Sequence, residues 1–300
     1  MAKTTPPKAI LFDIGGVVVV SPFQAILDYE IASGIPTGWI NFSIQKGPHD
    51  TGAWQQIERG ECALDDAWFA SFKRQLSNPA HWEEFLETKV QRNPESNPGG
   101  GAAIPDDDTR TQGEGLPGRK PKVPEIDAKA LFWNMMRISR TPDPFMYPAL
   151  KALRKSGKFV LGALSNTVVF PEGIKDEKGV VFTKNLVHPP APSNFANDST
   201  EIQGLFDVFV SSAHVGVRKP DPRAYELAVR EMDKAAREKG DKSGVKAEEV
   251  LFLDDIGVNL KWAKKSGLRT IKVDLGKTRE AVKELEKQTG LNLLGDKAKL

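Results

Sequence analysis

Five short runs of consecutive apolar residues punctuate the chain: Ala9 to Asp13 (AILFD), Phe159 to Ser165 (FVLGALS), Asp207 to Ser212 (DVFVSS), Val250 to Asp255 (VLFLDD) and Thr270 to Val273 (TIKV). Their apolarity is continuous rather than alternating, which suits strands covered on both faces, as in a parallel sheet. Between them, apolar positions recur at helical spacing. Pro144 to Ser156 predicts a helix before the second strand, opened by an Asp143–Pro144 cap. Asp221–Pro222 opens another, with Ala224, Leu227, Ala228 and Met232 along one face. Two more are predicted over Asn259 to Lys265, which ends at Gly267, and over Arg279 to Gln288, with Gly290 just past its end. Strand and helix in alternation read as a doubly wound, Rossmann-like α/β core with a parallel sheet.

The first two strands are far apart in the chain. Residues 21–141 contain aromatic, helix-like pieces, notably Gln55 to Leu76 and His81 to Gln91, and predict an inserted helical domain. The core then comprises residues 1–20 and 142–300. Within the insertion, residues 93–127 are rich in proline and glycine, with GGG at 99–101 and DDD at 106–108, and predict a flexible loop. Phe170 to Thr200, which includes HPPAPSN, directly follows the second strand and predicts an active-site flap. The tryptophans at 39, 54, 68, 82 and 133 predict the apolar core of the insertion.

Composition narrows the classes. In 300 residues, 39% hydrophobic and 27% charged is an ordinary globular balance, long enough to bury a core without staples. Forty-two basic against 40 acidic residues give a net charge of +2, which argues against a nucleic-acid partner. No apolar run reaches the roughly 18 residues that span a bilayer. The N-terminus lacks the long apolar stretch of a secretory signal, so the expectation is a soluble, cytoplasmic protein with no membrane partner. A single cysteine, Cys62, excludes an internal disulfide and a multi-cysteine metal site, and four scattered histidines argue against a histidine metal site.

In an open parallel sheet, ligands bind beyond the carboxyl ends of the strands. The first strand ends in Asp13-Ile14-Gly15-Gly16 and the second in Ser165-Asn166-Thr167. The loop after the third carries Arg218-Lys219-Pro220-Asp221, and the fourth ends in Asp254-Asp255, with Asn259 following. Alone, each of these serves equally well as a turn or a helix cap. Together they supply what phosphoryl transfer needs. A carboxylate can attack phosphorus, two carboxylates and a backbone carbonyl can hold Mg²⁺, and a hydroxyl and amide can hold phosphate oxygens. A lysine can offset the charge between an anionic nucleophile and an anionic substrate.

The set LFDIGGVVV, LSNT, RKPDPRAYELA and FLDDIGVNLKWAKKSG resembles the four motifs of the haloacid dehalogenase (HAD) superfamily. Within it, the chain is similar to the N-terminal phosphatase-like domain of soluble epoxide hydrolase and to the HAD domain of acyl-CoA dehydrogenase family member 10. The resemblance implies a HAD-like fold in which residues 21–141 form a helical cap. It implies Asp13 as nucleophile and metal ligand, the Gly15 carbonyl and Asp255 as further ligands of Mg²⁺, and Ser165, Asn166 and Lys219 as phosphate-binding. Asp254 would orient Lys219 or a metal-bound water, and Asn259 would support it. The implied partner is a small phosphorylated substrate; the motifs specify neither the metabolite nor an oligomeric state.

One position departs from the pattern. Family phosphatases carry a second aspartate two residues after the nucleophile, as general acid and then base; here that residue is Gly15. General acid–base help is worth roughly 10²–10⁴-fold, so a slow enzyme is expected, least impaired on acyl phosphates. His49, Glu58, Glu61 and Asp65 in the cap are the candidates to replace it. The leading expectation is a Mg²⁺-dependent phosphatase acting through an aspartyl-phosphate. The alternatives are a metal-independent haloacid dehalogenase-type hydrolase, which also lacks that aspartate, or a catalytically weak scaffold that binds phosphometabolites or a protein partner. No G-x-S-x-G nucleophile elbow accompanies the epoxide hydrolase resemblance, so epoxide opening is not implied.

Overall fold

The computed structural model describes residues 5–92, 122–182 and 202–295. Among these, five parallel strands form one sheet: β1 (Ala9–Phe12), β2 (Val160–Ser165), β3 (Val208–Ser211), β4 (Val250–Asp254) and β5 (Arg269–Lys272). Their spatial order is β3-β2-β1-β4-β5. The order reverses at β1, with β2 on one side and β4 on the other. This is the topological switch point where doubly wound sheets open a crevice at their carboxyl ends. Each strand's bounds fall within one residue of its apolar run.

The continuous apolarity of β1 has a direct packing reason. Ile10 and Phe12 join one buried cluster with Met146, Leu150, Val282 and Leu285, whereas Ala9 and Leu11 join another with Ala228, Met232 and Leu260. Alternate side chains thus enter two dry layers, so neither face can be polar.

Between β1 and β2 lie α1 (Pro22–Ala32), α2 (Trp39–Lys46), α3 (Ala53–Glu58), α4 (Asp66–Leu76), α5 (Pro79–Arg92) and α6 (Ala128–Ile138). They share a third apolar cluster that contains all five tryptophans expected there. Trp68 stacks on Phe72 at 5.1 Å, and Trp39 meets Trp82 edge-on at 4.9 Å. The predicted helix over Gln55 to Leu76 is two helices. It breaks at Arg59–Gly60, where Gly60 takes φ +70° and lies so close to Ala213 that a Cβ would sit 2.0 Å from its carbonyl oxygen. The Pro/Gly-rich stretch at 93–121 and the HPPAPSN run lie outside the described residues. The described part of the expected flap packs on the helical layer. Phe170 and Phe182 lie against Trp133, at 6.3 and 5.4 Å, and Arg137 of α6 pairs with Asp176 at 3.0 Å and Glu177 at 2.6 Å.

The remaining helices are α7 (Met146–Ser156), α8 (Ser212–Val215), α9 (Pro222–Glu238), α10 (Gly257–Lys265) and α11 (Thr278–Thr289). α9 is capped as expected, with Asp221 accepting from Arg223 N–H at 2.9 Å. α7 starts two residues later than expected. Its N-cap is Phe145, while the Asp143 carboxylate still accepts from the Phe145 and Met146 N–H groups at 2.9 and 2.7 Å. No helix among the described residues is long and apolar enough to cross a membrane.

Candidate active site

The parallel register brings Asp13 and Asp254 level at the carboxyl ends of β1 and β4, and a loop returning from α8 inserts Lys219 between them. Lys219 is 1% exposed, and its Nζ lies 2.8 Å from Asp13 Oδ2 and 2.7 Å from Asp254 Oδ2. Burial works to lower the Lys219 pKa, but Asp13 and Asp254 outweigh it, and the ammonium is held above its ordinary range. A buried lysine so placed stays charged.

The two acids after β4 have different surroundings. Asp254 is fully buried with both oxygens occupied. Oδ1 accepts from Ile256 N–H at 2.7 Å and from Asn259 at 3.2 Å, and Oδ2 from Lys219 and from Asn259 at 3.1 Å. Asn259 is itself fixed, its carbonyl accepting from the buried Tyr225 hydroxyl at 2.9 Å. Asp255 is half-buried, and its Oδ1 is buried with no hydrogen-bond partner among the described residues. Carboxylate oxygens of Asp13, Asp254 and Asp255 all lie within 4.8 Å of one another.

Such crowding is costly in low dielectric. Burial first, with the neighbouring carboxylates adding to it, pushes Asp255 up to about 8. Burial also pushes Asp13 up to about 7, against Lys219 and the Ile14 N–H, which donates to Asp13 Oδ1 at 2.7 Å. Gly16 makes room for this arrangement. It takes φ +80°, and a Cβ there would lie 2.3 Å from Asp255 Oδ2. Gly15, by contrast, is outside the left-handed region.

Ser165 is buried at the carboxyl end of β2, the strand that pairs with β1. Asn166 follows, and its amide is spent on Lys219: Oδ1 accepts from the Lys219 N–H at 2.8 Å and Nδ2 donates to the Lys219 carbonyl at 3.1 Å. Its side chain therefore holds the lysine loop against β2. At about 0.5–1.5 kcal/mol net per bond, Asn166→Ala should cost about 1–3 kcal/mol of stability in a denaturant melt. An unchanged midpoint would contradict this account of the amide.

Of the cap candidates, His49 is exposed and pairs with Asp50 at 2.7 Å, and Glu61 pairs with Arg59 at 2.6 Å. Asp65 caps α4 through Trp68 N–H at 2.9 Å. Glu58 alone of the four is buried, and it reaches the core through Arg218 at 2.6 Å. Arg218, Ser212 and Thr167 had no role in the sequence reading. The signal for Arg218 was its place next to Lys219; Ser212 carries none, because its partners lie on distant segments.

The model of the family described as haloacid dehalogenase-like hydrolase matches residues 7–267. The chain is 26% identical over 286 residues to acyl-CoA dehydrogenase family member 10 of Mus musculus, covering 95% of this chain and 19% of that protein. It is 24% identical over 290 residues to bifunctional epoxide hydrolase 2 of Sus scrofa, covering 96% of this chain and 40% of that one. A shorter match, 35% over 82 residues, covers 27% of this chain and 33% of phosphatase MT3486 of Mycobacterium tuberculosis. The matched segment covers less than half of each of these relatives.

Proposed function

The chain belongs to the haloacid dehalogenase-like hydrolases, and from that premise we propose that it is a Mg²⁺-dependent phosphatase acting on a small phosphorylated metabolite through an aspartyl-phosphate on Asp13. The observation that carries this choice over metal-independent dehalogenation is Asp255. A buried carboxylate oxygen without a partner, beside a second carboxylate whose own pKa is raised, fits a hard cation with oxygen ligands. The similarity to a named phosphatase supports the same reading.

Asp13, Asp255 and the Gly15 carbonyl would hold the ion, while Asp254, its oxygens already taken, orients Lys219. When bound, Mg²⁺ supplies positive charge that favours ionised Asp13 and offsets the charge of the phosphoryl group. The Asp13 carboxylate then attacks phosphorus, and the bond from phosphorus to the leaving oxygen breaks. Lys219 and the Ser165 hydroxyl stabilise the equatorial oxygens. Water next attacks phosphorus, the Asp13–phosphorus bond breaks, and inorganic phosphate leaves with the carboxylate restored. Gly15 can give no proton to the departing oxygen, so a leaving group that needs none, such as the carboxylate of an acyl phosphate, is favoured. In this reading residues 21–141 act as a cap over the core of residues 1–20 and 142–300.

Phosphate release from p-nitrophenyl phosphate and acetyl phosphate, with and without Mg²⁺, tests the proposal. Release that requires the cation and favours acetyl phosphate is expected. Metal-independent dehalogenation of a 2-haloacid, without phosphate release, would overturn it.

The raised carboxylates also set a pH dependence. Without a cation, Asp13 near 7 and Asp255 near 8 favour the fold at low pH, and that contribution is lost as pH rises through these values. A cation must displace their protons, so apparent Mg²⁺ affinity should rise from about pH 6 to about pH 8.5 with protons released on binding. Calorimetry in buffers of different ionisation enthalpy measures that release. Affinity flat across this range, with none released, would contradict the expected sign.

A further inference from the structure

Glu58 is the last residue of α3, 7% exposed, and it grips the core twice. Its Oε2 lies 2.6 Å from Arg218 Nη2, and its backbone carbonyl accepts from the Ser212 hydroxyl at 2.5 Å. Each partner adjoins a loop of the site. Arg218 immediately precedes Lys219. The Ser212 oxygen accepts in turn from the Thr167 N–H at 2.9 Å, and Thr167 closes the Ser165-Asn166-Thr167 turn. Two residues beyond Glu58, Gly60 lies against the Ala213 carbonyl with no room for a side chain. One short segment of the helical layer therefore docks on the core at the two loops that carry Lys219 and Ser165.

We infer that Glu58 is a positioning residue: held between Arg218 and Ser212, it couples the helical layer to the lysine loop and the serine loop. This rests on the phosphatase reading and adds to it how the helical layer reaches the chemistry. Glu58 is the buried member of the four cap candidates for the role of the missing aspartate, and its geometry gives it a different task. Burial holds the Glu58 carboxyl above its ordinary range, although the Arg218 guanidinium and the Trp54 indole favour the ionised form. The Arg218 ion pair at 2.6 Å holds the Glu58 side chain toward the lysine loop, and the Ser212 hydroxyl holds its carbonyl toward the serine loop.

The test compares Glu58→Gln, Arg218→Met and their double variant with the unaltered chain. The substrates are p-nitrophenyl phosphate, phenyl phosphate and acetyl phosphate, all with Mg²⁺, and orthovanadate binding is followed by calorimetry. Displacing a reacting group by as little as an ångström costs about 100-fold. Each single variant should therefore lose about 10- to 100-fold in kcat/KM on all three substrates alike, bind orthovanadate more weakly, and keep the shape of the pH profile. The double variant should be no worse than the poorer single one, and Arg218→Lys, which keeps the charge, should recover most of the activity. Near-ultraviolet circular dichroism separates these effects from loss of fold. A Glu58→Gln variant impaired on phenyl phosphate alone, with a changed basic limb, would make Glu58 a proton donor and overturn the proposal. Full activity of Glu58→Gln would overturn it as well. An unaltered chain inactive on all three substrates would remove the phosphatase reading itself.

Discussion

Asp13→Asn should abolish turnover while leaving the fold intact. Asparagine fills the same volume and can still accept from the Ile14 N–H, but its amide oxygen is a poor nucleophile. Loss of a covalent nucleophile costs at least about 10³-fold. The stability effect should have the opposite sign to that of most buried substitutions. Asp13 is a carboxylate whose pKa burial has raised to about 7, within reach of Asp254 and Asp255. Neutralising it relieves that repulsion, and Lys219 retains Asp254 at 2.7 Å. At about pH 8, without Mg²⁺, the variant should melt no lower than the unaltered chain. Thermal unfolding alongside phosphate release measures both. Retained turnover would exclude Asp13 as nucleophile, and a large fall in melting temperature would show that its charge is needed by the fold.

Gly15→Asp should do the reverse and raise activity. The position is two residues beyond the nucleophile, where a carboxyl group could protonate the leaving oxygen and then activate water. The backbone permits the change, since Gly15 lies outside the left-handed region. A Cβ there meets Pro22 Cδ at 3.3 Å and Cγ at 3.8 Å, so the proline ring must give by a few tenths of an ångström. Gly16 offers no such tolerance, because its Cβ would strike the Asp255 carboxylate at 2.3 Å. General acid–base help is worth roughly 10²–10⁴-fold. With that small displacement, a gain of about 10²-fold is expected on phenyl phosphate, whose leaving group profits from a proton. Acetyl phosphate should gain little. The ratio of kcat/KM for the two substrates is the readout. An equal change on both, or none, would mean that the missing aspartate does not limit the reaction.

The parts of the molecule legible in the sequence are those governed by local patterns. β1, β2 and β4 were readable because both faces of each are buried, so every position along AILF, VLGALS or VLFL is apolar or small. The α9 cap was readable because Asp221-Pro222 satisfies the first turn of its own helix. The break between α3 and α4 was not, because helical spacing persists through it. What interrupts it is Gly60 meeting Ala213, a contact with a segment 153 residues away in the chain.

The same distinction runs through the site. That Asp13, Lys219 and an acid pair sit at strand ends follows from their motifs. Which acid orients the lysine follows only from packing: Asp254 is enclosed by Lys219, Asn259 and Ile256, whereas Asp255 Oδ1 has none of them. Asn166, a candidate for contact with phosphate, has its amide committed to the Lys219 backbone. Glu58 was indistinguishable from Glu61 in sequence. A turn of the chain buries the first against Arg218 and leaves the second outside with Arg59.

The central claim is that phosphate passes through a covalent bond to Asp13. The most direct measurement is mass spectrometry of peptides from protein mixed with acetyl phosphate and Mg²⁺ and quenched in acid during turnover. The account predicts a phosphoryl group on the peptide carrying Asp13, absent when Mg²⁺ is withheld and absent in Asp13→Asn. Steady release of phosphate with that peptide unmodified throughout would contradict it.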